Sequence, residues 1–88
     1  MGEKTRQKEI VLQQIFKEVI MALYYMNKHA QSNGDHEVHR TGCAWMPNKE
    51  NRLPLGDFST CHGAVQKAKQ FDPNADGCAH CSPDCHKS

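Results

Sequence analysis

Apolar positions divide the chain into two unlike parts. From Arg6 to Ala30 no proline or glycine intervenes, and Leu12, Ile15, Phe16, Val19, Leu23 and Met26 recur at the spacing of one helix face. Gln13, Gln14, Lys17 and Glu18 occupy much of the opposite side. Thr5 offers a capping hydroxyl at the start, and Ser32-Asn33-Gly34 supplies a stop. The pattern predicts one long helix over residues 5–31. Between Val19 and Met26 the segment is apolar nearly all round, because Ile20, Met21, Ala22 and Tyr25 lie outside the main stripe. A helix apolar on every face needs more cover than a lean remainder supplies, so a homodimer through the N-terminal helix is expected.

From Asp35 onward large aliphatics thin out to Val38, Leu53, Leu55 and Val65, supplemented by Trp45, Met46, Phe58 and Phe71. Residues 46–57 are rich in turn formers and read as a loop. A second helix is predicted near residues 58–70, capped by Asp57 or Ser59, with Phe58, Cys61, Val65 and Ala68 on one face. Asp72-Pro73-Asn74-Ala75-Asp76-Gly77 reads as a turn. The fold expected is mainly α: one small domain over residues 1–88, with a long N-terminal helix, a second helix and an irregular C-terminal segment. At 88 residues such a chain buries only about 60% of the surface its unfolded form exposes, so a staple is expected.

The staple is suggested by residues 35–88, which hold all five cysteines and every histidine except His29. In Gly77-Cys78-Ala79-His80-Cys81 two cysteines stand two residues apart. That spacing directs both sulfurs at one ion, and the preceding glycine permits a tight backbone. Cys85 lies four residues on, and Cys43 is far enough back to close a loop over the second helix. Cys43, Cys78, Cys81 and Cys85 are therefore the expected ligands, with zinc the expected ion. Cys61 and His39 are alternates, and His86 is a further candidate to complete the site. Cys61 reads equally well as a buried core residue.

Disulfides compete with this reading, but five cysteines cannot all pair within one chain, and Met1–Arg6 has none of the features of a secretory signal. An iron–sulfur cluster or a redox dithiol is the first functional alternative. A zinc hydrolase built on His36, Glu37 and His39 is the second, although the i, i+4 histidine spacing is absent. Asp72, Asn74, Asp76 and Gly77 match the opening of a calcium-binding loop, whose twelfth position is here Pro83 rather than glutamate. A net charge of +1 with scattered lysines and arginines gives no strong nucleic-acid signal. No apolar run approaches the roughly 20 residues of a membrane span. The sequence thus predicts a cytoplasmic, noncatalytic metal-binding protein acting as a binding or regulatory module, with a protein partner possible.

Overall fold

The computed structural model describes residues 20–87. Over these residues the chain forms β1 (Ala22–Asn27), β2 (His36–Arg40), β3 (Arg52–Phe58), a helix α1 (Cys61–Ala68) and β4 (Ala75–Gly77). The strands make one mixed sheet in the order β3-β1-β2-β4. Strand β1 pairs antiparallel with β2 and β3, and β4 runs parallel to β2. This overturns the mainly α, helical reading.

The long helix predicted over residues 5–31 is replaced from Ala22 by a strand, while its span over residues 5–19 lies outside the described residues. Ala22, Tyr24 and Met26 are buried and alternate with exposed Leu23 and half-buried Tyr25 and Asn27, the two-residue period of a strand. The outward positions are themselves largely apolar or aromatic, so hydropathy does not register the alternation. Strand pairing, with the sheet preference of the two tyrosines, wins over helical spacing. The argument for an all-round apolar helix goes with it, and the segment expected to carry a homodimer presents a strand face instead.

The loop expected at residues 46–57 is also corrected, because Arg52–Phe58 is a strand. Pro54 is accommodated since β3 lies at the edge of the sheet. The register steps from Tyr24↔Gly56 to Tyr25↔Pro54, leaving Leu55 as a bulge that turns into the core. Gly56 has φ +112°, which a side chain would disfavour.

Helix α1 falls within the span predicted near residues 58–70. It lays Cys61, Ala64 and Ala68 against a core of Ala22, Tyr24, Met26, Val38, Leu55 and Ala75. Its small side chains bring it close to the sheet, but a core of this composition yields modest burial energy. A disulfide from Cys61 to Cys85 ties the start of the helix to a C-terminal 3₁₀ turn at Pro83–Cys85. Among the described residues no helix is long and apolar enough to cross a membrane.

Candidate metal centre

Strand β2 alternates faces, sending Val38 into the core and His39 to the other side of the sheet, both with no solvent exposure. Just beyond it the chain reverses. The Cys43 N–H donates to the Arg40 carbonyl at 3.1 Å, and Gly42 takes φ +85°, the conformation that glycine supplies to a tight turn. This folds Cys43 back toward His39.

The other two groups arrive through β4. Its parallel register sets Val38 opposite Gly77, and the Cys78 N–H extends the pairing by donating to the Val38 carbonyl at 2.9 Å. Cys78 thus enters beside His39. The Ser82 N–H donates to the Cys78 carbonyl at 2.8 Å, closing a loop that returns Cys81. His39, Cys43, Cys78 and Cys81 each offer a ligand atom within 4.8 Å of all the others. The Cys43 and Cys78 sulfurs are 4.0 Å apart, and the Cys81 sulfur is 3.9 Å from His39 Nδ1. Ligands held tetrahedrally at about 2.0–2.3 Å from zinc lie about 3.3–3.8 Å apart. The cluster is near that size, and its chemistry suits a thiophilic ion.

Backbone donors already face the sulfurs. The Arg40 N–H reaches Cys81 Sγ at 3.3 Å, and the His80 N–H reaches Cys78 Sγ at 3.4 Å. Trp45 stacks on His80 with ring centroids 4.6 Å apart, joining the turn after Cys43 to the Cys78–Cys81 loop. Burial pushes the Cys78 and Cys81 thiols above their ordinary value. It pulls His39 down, opposed by the nearby Glu37 charge. The imidazole is therefore neutral and able to ligate, while both thiols hold their protons until an ion displaces them. An unfolded thiol, with a pKa of about 8.5, is also mostly protonated at neutral pH. Zinc binding should therefore release at least two protons. Its apparent affinity is expected to fall at least about 100-fold per pH unit between pH 8 and 6, read by competition with a chelator of known affinity. A pH-independent constant would contradict the thiol ligands.

His39 Nε2 is buried without a hydrogen-bond partner, and Glu37 Oε1 lies 3.8 Å from it. Metal on Nδ1 would put the ring proton on Nε2, facing that carboxylate, the arrangement that fixes tautomer and ring orientation in metal-bound histidines. Glu37→Gln is expected to weaken zinc binding about tenfold in the same competition assay.

Of the ligands expected from sequence, the structure brings together Cys43, Cys78 and Cys81, and the alternate His39 stands in the fourth place. Cys85 does not join them, because it is bonded to the other alternate, Cys61. His86 Nδ1 is 3.0 Å from the Gly77 carbonyl and 3.2 Å from Asp76. His36 lies on the opposite face of β2 from Glu37 and His39, held by the Asn27 carbonyl and Asp72, so the hydrolase set is not assembled. The pairing of Cys61 with Cys85 was missed by sequence reasoning. Its signal was arithmetic: with a histidine as fourth ligand, two of five cysteines remain. Comparisons with protein-family models, with curated proteins and with solved structures found no match to this chain.

Proposed function

We propose that this protein is a noncatalytic binding or regulatory module whose fold is held by a structural zinc ion on His39, Cys43, Cys78 and Cys81. The observation that carries this reading is the convergence of four ligand atoms within 4.8 Å from two stretches of chain, β2 with its following turn and the loop after β4, whose Cys43 and Cys78 are 35 residues apart. Four protein ligands fill a tetrahedral ion and leave no position for a reactive water, which is the mark of a structural site. The second support is the sparse core, which gives such an ion work to do.

Elemental analysis of protein purified without chelator, in its disulfide-bonded form, should return one zinc per chain. Cobalt substitution should give the intense visible bands of a tetrahedral thiolate site. A visible chromophore with bound iron in the purified protein would replace this reading by an iron–sulfur one. Self-association belongs to the same proposal, with Met21 and Leu23, 53% and 44% exposed, as the apolar strip at the start of β1 that would meet its copy. A concentration-independent monomer mass in sedimentation equilibrium would remove that part.

A further inference from the structure

A second cluster of ligating side chains lies on the helix side of the sheet. Cys61 opens α1, His62 follows it, and Cys85 closes the C-terminal 3₁₀ turn. Their two sulfurs and an imidazole nitrogen all lie within 4.8 Å of one another. The cysteines are buried and bonded to each other, whereas His62 is exposed and its ring makes no hydrogen bond among the described residues. Two clefts flank the group. One of about 370 Å³ is lined by Tyr24, Arg40, Cys61, His62 and Cys81, and one of about 360 Å³ is lined by His62, Val65, Asp84 and Cys85. Each cysteine of the bond thus lines one cleft, and His62 lines both.

We infer that Cys61, His62 and Cys85 form a second, redox-gated site for a thiophilic divalent cation of the zinc type, closed while the disulfide stands and opened by its reduction. The opening step is thiol–disulfide exchange with a dithiol reductant. One thiolate of the reductant attacks a sulfur of the pair, the Cys61–Cys85 bond breaks, and a mixed disulfide forms. The second thiol of the reductant then displaces the remaining cysteine and leaves as its own cyclic disulfide. The reductant loses two electrons and two protons, and Cys61 and Cys85 gain them as two thiols. The ion displaces those protons to the solvent as it binds.

The geometry is compatible with both states. The two Cα atoms are 6.2 Å apart, and once the bond is broken the sulfurs have to part to about 3.7 Å, the edge of a zinc tetrahedron. His62 supplies a third ligand from the adjacent residue. Three protein ligands leave the fourth position of a tetrahedral ion to water or a small ligand, unlike the cluster at His39. Two thiolates with one imidazole select zinc-like or softer ions over magnesium and calcium.

The test titrates the full chain with cobalt and then zinc, before and after reduction with a water-soluble phosphine that does not itself present thiols. Reduction is expected to raise the stoichiometry by exactly one ion per chain, from one to two, with new thiolate bands in the cobalt spectrum. Should the centre at His39 prove not to bind metal, the counts become zero and one, so the increment alone tests this site. His62→Ala removes an exposed side chain and leaves the disulfide able to form. In the reduced variant the second ion should bind at least tenfold more weakly, while the first is unchanged. The double variant Cys61→Ser, Cys85→Ser should bind a single ion under both conditions. An unchanged stoichiometry on reduction, in a chain whose amide spectrum stays dispersed, would overturn the site. So would a second ion indifferent to both sets of substitutions.

Discussion

Chelation of the metal is expected to unfold β2, β4 and the C-terminal segment in one step. Strand β4 has only three residues, and its one neighbour is β2. The two strands contribute only Val38 and Ala75 to the apolar core, so on the structural-metal proposal the ion carries much of the pairing. A thiolate-rich zinc site supplies roughly 10–16 kcal/mol of apparent binding energy at neutral pH, against roughly 5–15 for the stability of a typical domain. The dispersed NMR signals of Val38, Trp45 and Ala75 should therefore collapse on chelation, and Cys78→Ser or His39→Ala should reproduce the loss. Cys61→Ala is the contrasting variant. It opens a disulfide of 24 residues' separation, should cost about 3 kcal/mol, and should leave the zinc at His39 in place. Full dispersion and an unchanged melting temperature in excess chelator would defeat the structural-metal reading.

Gly77→Ala is expected to be nearly as damaging. A Cβ at this position would sit 2.6 Å from Cys85 Cβ, 2.7 Å from the Ser82 carbonyl oxygen and 2.8 Å from the Cys85 carbonyl carbon. Two of these neighbours are backbone, so relief requires the whole 3₁₀ turn to move away from β4. Overpacking of this kind costs about 3 kcal/mol, or about 15 °C in melting temperature for a domain this small. The displaced turn also carries Cys81 off the cluster, so zinc affinity should fall with stability. A variant melting within about 2 °C of the parent would show that β4 and the turn are not packed this closely.

That glycine illustrates how the sequence was legible in part. Its need was visible from its place before Cys78. The reason is close approach of neighbouring backbone, because the left-handed glycines are Gly34, Gly42 and Gly56. The chemistry of residues 35–88 could be read because cysteine spacing is a local property, and α1 because its small and apolar residues follow a helical period. The sheet was hidden for three separate physical reasons. Strand β1 carries apolar side chains on both faces, so its letters also fit a helix. Strand β2, His-Glu-Val-His-Arg, has one aliphatic residue, since its other buried side chain is the imidazole of His39. Strand β4, Ala-Asp-Gly, is composed of turn formers, and only pairing with β2 makes it a strand. Choosing Cys85 over His39 as fourth ligand had the same origin. Cys85 is near Cys81 along the chain, whereas His39 is near it only through the parallel register.

The disulfide and the proposed metal cross-link overlap along the chain rather than nest. The Cys43–Cys78 span at the metal cluster begins before the Cys61–Cys85 span and ends inside it. Where the backbone is cut therefore decides what keeps the pieces together. A protease nick after exposed Lys49 puts both halves of the disulfide in one fragment, leaving the proposed metal as the cross-link between fragments. Such protein should run as two bands on a denaturing, nonreducing gel containing chelator. A nick after exposed Lys69 parts Cys61 from Cys85 as well as Cys43 from Cys78. That protein should run as a single band on the same gel, and separate only when a reductant is added.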